Sequence, residues 1–197
     1  MLHPAMLSFK LWKLLSELDE QTTLRVAASG CPTCGGRLHR GDYLRKPRCG
    51  LIALVTDGDV RRTSLCCERD GCRKRALPPS LRFLGRKVYV GPVILLACAF
   101  AQLTTLAGAY RTTGIGRRTV RRWRGWWRND YAESRHFEQV RGRLMPPVEP
   151  HQLPLALWER FAERAQDGLE ALVHLLAFIA PITTDSVPDG ARFVRVR

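Results

Sequence analysis

The sequence predicts an α+β protein that is mainly helical, with a small β module, then a three-helix unit, then a C-terminal helical pair. Two pairs of cysteines, each pair closely spaced, with strand-like runs between the pairs, predict the β module. An arginine-rich segment with helical periodicity predicts the three-helix unit. Apolar residues at helical spacing near both ends of the chain predict the remaining helices.

The N-terminal segment, residues 1–28, predicts a helix over about residues 5–28. Lysines interrupt its apolar residues, and it lacks the apolar core and the small-residue cleavage site of a secretory signal. We therefore expect a cytoplasmic protein with reduced thiols, not the disulfide framework of a small secreted domain. The helical face is marked by leucines three and four residues apart: Leu7, Leu11, Leu14, Leu15 and Leu18.

Two cysteine pairs predict a metal site within residues 29–77. Cys31 and Cys34 form a tight first pair, and Cys67 and Cys72 form a looser second pair. Two such loops can close a tetrahedral site around Zn²⁺, and a site with four protein ligands has a structural role. The sequence therefore predicts one structural zinc ion.

The segments around these cysteines suit a zinc ribbon. Gly35 and Gly36 give the backbone freedom to fold around an ion, and Asp70-Gly71 is a plausible turn in the longer loop. Strand-like runs at residues 51–56 and 60–67 flank Asp57-Gly58-Asp59, a strong hairpin signal.

Three other residues are rival metal ligands. Cys66 adjoins Cys67, but neighbours on a strand point to opposite faces, so one of the two faces the metal; the shorter loop favours Cys67. Cys49 and His39 lie between the pairs, where a buried thiol and a surface imidazole are the simpler interpretation.

The net charge of +14 is concentrated in the middle of the chain. Residues 1–30 are neutral, residues 31–90 carry +9, residues 91–143 carry +7 and residues 144–197 carry −2. This distribution is typical of a surface that binds a polyanion, and nucleic acid or an anionic membrane would both suit it.

An uncharged stretch from Val90 to Tyr110 raises the possibility of a membrane span. Its glutamine, threonines, glycines and proline make it too polar for one span. We expect two buried helices and no membrane contact.

The same stretch opens a predicted helix-turn-helix unit. Small residues in the second helix, a glycine turn and a basic third helix match the motif whose last helix enters the DNA major groove. The unit spans residues 92–143 and follows a basic connector at 78–91; its helices fall at about 92–103, 104–110 and 117–128, with the turn at 111–116.

The third helix has an aromatic side and a cationic side. At about 100° per residue, Val120, Trp123 and Trp127 share one arc, which can dock on the preceding helices. No acidic residue lies between Arg111 and Asn129, so the arginines repel one another unless a polyanion is present; a solvated helix face usually mixes signs. The predicted DNA contacts are Arg117, Arg118, Arg121, Arg122, Arg124 and Arg128.

The C-terminal part predicts two helices within residues 153–180, after a proline-rich linker at 144–152 and before a tail at 181–197. The second helix is apolar nearly all round and must be buried. Two arrangements would bury it. Either a partner protein covers this helix, which makes 153–180 a protein-contact module, or the N-terminal helix folds back and covers its apolar surface.

Residues 29–128 resemble the zinc-ribbon and helix-turn-helix parts of bacterial insertion-sequence transposases and of accessory proteins encoded beside them. The resemblance lies in CPTCGGRLHRGDY, CCERDGCRKRALPPSLRFLGRKVY and TGIGRRTVRRWRGWWR. It implies DNA binding in a mobile element. A complete transposase also has an RNase H-like domain, for which residues 129–197 are too short and too helical.

The sequence also lacks a phosphate-binding loop, a nucleophile elbow and an H-E-x-x-H pair, so we expect no enzyme. Two functions follow. The protein is a DNA-binding accessory factor that acts with a separate transposase or integrase, or it is a dimeric transcriptional regulator. RNA binding is a third, weaker interpretation.

Overall fold

The computed structural model describes residues 8–45, 60–84 and 91–184, apart from the side chains of residues 91, 93, 94 and 100. It confirms a mainly helical α+β fold with a small antiparallel β module. The helices are α1 Phe9–Ser29, α2 Gly91–Leu103, α3 Leu106–Thr113, α4 Arg117–Trp126, α5 Arg135–Val140, α6 Leu155–Ala162 and α7 Gly168–Ile179. The strands are β1 Leu38–Arg40, β2 Tyr43–Leu44, β3 Arg61–Arg62, β4 Leu65–Cys67 and β5 Arg75–Ala76.

Ser8 caps the start of helix α1: its hydroxyl accepts a hydrogen bond from the backbone N–H of Leu11. Gly30 caps the end of the helix, where φ is +73° and an added Cβ would lie 3.0 Å from the carbonyl oxygen of Gly35. Its buried apolar side chains are Leu11, Trp12, Leu15, Leu18 and Val26. They include three leucines of the predicted face; Leu14 is half-buried against the core, and Leu7 lies outside the described residues.

The strands form two small antiparallel sheets. One has the order β1-β4-β5, with Leu38 opposite Cys67 and Leu65 opposite Ala76. The other pairs β2 with β3. The predicted run 51–56 and the predicted turn at 57–59 lie outside the described residues, whereas the run 60–67 contains β3 and β4.

Helices α2, α3 and α4 follow one another closely. Thr105 caps α3 by accepting from the N–H of Gly108, and a π-helical turn at Trp127–Tyr131 extends α4 by about one turn. The uncharged stretch thus contributes to two helices, as predicted, but α3 is not a buried helix, since only Ala109 and Thr113 of it are buried. None of the described helices combines the length and the apolar character that a membrane crossing needs.

A single buried cluster joins α1 to the helices of the C-terminal half. Leu15 of α1, Leu95 of α2, Trp127 after α4 and Leu172 of α7 belong to it. The predicted linker at 144–152 contributes Leu144 and Val148. A second, smaller cluster surrounds the cysteines and consists of Val26, Cys31, Leu38, Leu65, Cys67 and Ala76.

Part of the predicted basic connector is buried, and its Leu81 and Leu84 belong to the first cluster. Leu81 and Phe83 are almost fully buried, and so is Arg82, which pairs with Asp19 of α1 instead of facing solvent. Arg86 and Lys87 lie outside the described residues. The backbone N–H of Ser80 donates to the hydroxyl of Thr183, so this segment also touches the end of the C-terminal helices.

Candidate metal centre and nucleic-acid interface

The first cysteine pair lies in a tight loop between α1 and β1. The N–H of Cys31 donates to the carbonyl of Gly36, and the N–H of Gly35 donates back to the carbonyl of Cys31, both at 2.8 Å. Gly35 has a φ of +69°, a conformation that favours glycine. A Cβ on Gly36 would lie 3.1 Å from the sulfur of Cys67, so both glycines suit the approach of the two loops.

The second pair closes a longer loop after β4. The N–H groups of Cys72 and Arg73 both donate to the carbonyl of Arg69, and Arg73 has a positive φ of 45°. This turn shortens the path between Cys67 and Cys72. The guanidinium of Arg69 reaches across to the carbonyl of Cys34 at 3.1 Å and so joins the two loops.

The structure brings together the four predicted sulfur ligands. All four sulfurs lie within 4.8 Å of one another; the Cys31–Cys72 distance is 3.7 Å and the Cys34–Cys67 distance is 3.5 Å. The loops approach so closely because β1 and β4 pair directly, which places the segment before β1 beside the segment after β4. These four cysteines can hold a metal ion.

The thiols of this group differ in their pKa. The pKa of Cys31 is lowered to about 6, chiefly because the backbone N–H of Thr33 donates to its sulfur. For Cys67, the N–H of Arg69 lowers the pKa, but burial and the adjacent thiols of Cys34 and Cys31 raise it by more, to about 12. Four thiolates this close repel one another, so a cation is needed to hold all of them ionised.

The rival ligands lie apart from this group. Cys66 is on the other side of β4, with its sulfur 3.5 Å from the carbonyl oxygen of Arg73. His39 pairs with Glu68 on the surface, at 2.9 Å between Nε2 and Oε2. Cys49 lies outside the described residues.

The turn between α3 and α4 consists of three residues, Gly114, Ile115 and Gly116. Gly114 takes the left-handed conformation at the end of α3, and its N–H donates to the carbonyl of Tyr110. Ile115 is buried between the helices, and α4 begins directly after Gly116. The predicted turn at 111–116 is therefore shorter, because α3 continues to Thr113.

The aromatic side of α4 is buried, as the helical wheel predicts. Val120, Trp123 and Trp127 are at most 2% exposed, and α4 packs against α2 and α3. Trp126 is half-buried and packs on Trp127 and Tyr131, with ring centroids 5.0 and 5.8 Å away. It therefore contributes to packing.

The six predicted DNA-contact arginines fall into two groups. Arg117, Arg118, Arg121 and Arg122 are exposed on the first half of α4. Arg124 is half-buried, and together with Arg128 it lines a cavity beside α2 and α6. The pKa of Arg124 is lowered, first by burial and then by the charge of Arg128. This division cannot be predicted from positions on the helical wheel of α4, because the cavity is completed by residues of α6.

Comparisons with protein-family models, with curated proteins and with solved structures found no match to this chain. The geometry of the two sites is therefore the basis for assigning a function.

Proposed function

We propose that this protein is a non-catalytic, zinc-stabilised DNA-binding protein. In this proposal the cysteine module is a zinc ribbon, and α2–α4 form a helix-turn-helix unit whose α4 enters the major groove. The observation that carries the proposal is the exposed group of four arginines on α4. It lies opposite the buried residues Val120, Trp123 and Trp127.

The donor set of the cysteine group suits Zn²⁺. A tetrahedral ion with Zn–S bonds of about 2.3 Å places its sulfurs about 3.8 Å apart. The two observed sulfur–sulfur distances, 3.5 and 3.7 Å, are close to that separation. Four cysteine ligands leave no position for water or substrate, so the ion would stabilise the fold and supply no reaction.

The geometry around α4 supports the helix-turn-helix interpretation. A turn of three or four residues that contains glycine is typical of the motif, and here it is Gly114–Gly116. In this motif the N-terminal residues of the recognition helix, here α4, meet the base edges, and Arg117 and Arg118 occupy those positions. Among the ion pairs of the described residues, none involves Arg117, Arg118 or Arg121.

The proposal is tested by measuring DNA affinity as a function of salt. Each lost phosphate contact lowers the slope of log K against log salt by about 0.9. Replacing Arg117, Arg118 and Arg121 with Ala should therefore weaken binding and reduce the slope by about 0.9 for each of the three that contacts a phosphate, hence by at most about 2–3.

A charge-matched variant provides the control. Arg135, Arg141 and Arg143 are also exposed but lie on α5 and the turn after it, away from α4. Their triple replacement with Ala changes the net charge equally and should leave the slope nearly unchanged. Equal slopes in the two triple variants would contradict the proposal. Tighter binding to RNA than to DNA would contradict DNA as the ligand and favour RNA binding instead.

We further propose a role in a bacterial mobile element, in the cytoplasm, beside a separate transposase or integrase. The support is the resemblance of residues 29–128 to the DNA-binding parts of such enzymes. The contact with the enzyme, or with a second copy, is proposed for residues 153–180. Because six residues of α7 are buried within this chain and its Leu169 and Phe178 are half-buried against the core, such a contact would use the polar side of α6.

Selection of bound sites from a random DNA pool tests this role. Sites that match the ends of a mobile element support it, whereas sites that match promoter operators would favour a transcriptional regulator.

A further inference from the structure

A cavity of about 460 Å³ lies between α2, α4 and α6, beside the short turn Pro150–Gln152. Three arginines from two different helices line it: Arg124 and Arg128 from α4 and its extension, and Arg160 from α6. Arginine is the side chain best suited to hold phosphate, because its planar group donates several hydrogen bonds at once.

The positive charge of this cavity is poorly compensated. Glu159 is the one acidic residue among those that line it, and no ion pair in the described part of the chain joins Glu159 to an arginine. Arg160 pairs with Glu163 at 3.7 Å, but Glu163 is 63% exposed and does not line the cavity. Three guanidinium groups therefore share a concave surface, where their field attracts an anion.

Two of these side chains have unmet hydrogen-bonding capacity. The Nε atoms of Arg124 and Arg160 are buried, and neither has a hydrogen-bond partner among the described residues. A buried N–H group is normally paired, so these two arginines are held at the cavity wall by fewer hydrogen bonds than buried donors usually make. The pKa of Arg124 is lowered by burial and then by the charge of Arg128, which shows that the two positive charges lie close enough to disfavour one another.

The wall opposite α4 is held in place by hydrogen bonds. The side-chain amide of Gln102 donates to the carbonyl of His151 at 3.3 Å and accepts from the N–H of Leu155 at 3.1 Å. Arg128 donates to the same carbonyl of His151 at 3.4 Å. These contacts fix the start of α6 against α2, so the cavity is formed before any ligand arrives.

We propose that this cavity binds a phosphate ester of the size of one nucleotide. The arginines would hold the phosphate, and the apolar side formed by Ala101, Leu155 and Ala156 would take the sugar or the base. The volume lies within the range of about 300–1,000 Å³ that small-molecule sites occupy. The nucleotide has two possible sources: a free mononucleotide, or one nucleotide of a bound DNA strand. Only the second source rests on the proposal that the protein binds DNA.

The test uses calorimetric titration of the full-length chain with deoxyadenosine monophosphate, with inorganic phosphate and with duplex DNA. Arg160→Gln removes a cavity charge without changing α4, and Ala156→Phe fills the cavity without changing any charge. Each should weaken nucleotide binding by about tenfold or more, since a charge-assisted contact or the space itself is lost. Arg164→Gln, an exposed and neighbouring position that does not line the cavity, is the control and should bind as the wild type does.

The DNA titration identifies the source of the nucleotide. If both cavity variants weaken mononucleotide binding and leave DNA affinity unchanged, the ligand is a free mononucleotide. If they weaken DNA binding, the cavity holds a nucleotide of the strand. If neither variant changes the affinity for mononucleotide or DNA, the proposal is wrong. Inorganic phosphate that binds as tightly as the mononucleotide would also overturn it. The Arg117/Arg118/Arg121 variant leaves the cavity residues unchanged. It should therefore bind the mononucleotide as the wild type does even if the DNA-binding proposal is wrong, so the two proposals can fail separately.

Discussion

The carboxylate of Asp19 and the guanidinium of Arg82 form a buried ion pair, with 2.9 Å between Oδ2 and Nε and side-chain exposures of 0% and 5%. The same carboxylate accepts hydrogen bonds from the hydroxyl of Ser80 at 2.6 Å and from the N–H of Leu81 at 2.7 Å. Arg82 also donates to the carbonyl of Arg61 in β3. One carboxylate thus fastens α1 to the chain between the cysteine module and the helical core.

Asp19→Ala should lower the free energy of unfolding by about 3–5 kcal/mol, because it leaves the buried Arg82 guanidinium without its carboxylate counter-charge. Chemical denaturation followed by tryptophan fluorescence measures the change. Glu20→Ala is the control: Glu20 pairs with Arg40, but both side chains are more than 40% exposed, so the cost should stay within about 1 kcal/mol. Equal effects of the two substitutions would contradict this role of Asp19.

Sequence patterns could not reveal the Asp19–Arg82 pair. Charged side chains are expected at the surface, and the residues around Arg82 suggested an exposed basic connector. The two residues are separated by 62 others in the sequence, and a pattern of residues within one helix or strand cannot indicate a contact over that distance. The buried side of α4 was predictable, because the positions of Val120, Trp123 and Trp127 on a helix depend on local geometry alone.

The metal site was predictable for a similar reason. The spacing of Cys31 and Cys34 nearly determines their sulfur positions, and the alternation of a strand separates Cys66 from Cys67. The division of the arginines was not predictable, since Arg124 and Arg128 line a cavity completed by α6, which follows more than 25 residues later.

Zinc binding should depend on Cys34 and Cys72 and not on Cys66. Cys34→Ser and Cys72→Ser each remove one of the four clustered sulfurs, so the purified protein should lose its zinc and the cysteine module should unfold. Cys66→Ser is the matched control, because its sulfur lies outside the cluster. Elemental analysis should find about one zinc per chain in the wild type and in Cys66→Ser. Zinc loss in Cys66→Ser with retention in Cys72→Ser would show that the ligand set is different.

The thiol of Cys98 should resist alkylation in the folded protein. Cys98 lies in α2 with no exposure, and burial raises the pKa of its thiol to about 12. Because the thiolate is the reactive form, iodoacetamide at mildly alkaline pH should not label Cys98 until the protein unfolds. Mass spectrometry of digested, labelled protein identifies the modified residue. Rapid labelling under native conditions would contradict the buried position.

The same pKa gives a pH dependence of stability. A raised folded-state pKa contributes stability that is complete below the unfolded value of about 9 and is lost as the pH rises towards about 12. The wild type should therefore lose stability relative to Cys98→Ala over this window. Equal pH profiles from denaturation of the two proteins would mean that Cys98 ionises as easily in the folded state as in the unfolded state.

Truncation after Pro150 should destroy the folded helical unit. Leu157 and Trp158 of α6 and Leu172 and Leu176 of α7 belong to the main buried cluster, and both helices pack against α2, so their removal would expose apolar surface on α2. At about 25 cal/mol per Å² of apolar area, exposure of a few hundred Å² costs as much as the whole stability of a typical domain. The truncated chain should aggregate or lose its cooperative thermal transition. Truncation after Thr184, which removes only residues beyond those described and keeps α7, is the control and should keep the transition. A soluble, cooperatively folding chain that ends at Pro150 would instead show that α6 and α7 form a separate module, as a dedicated protein-contact role requires.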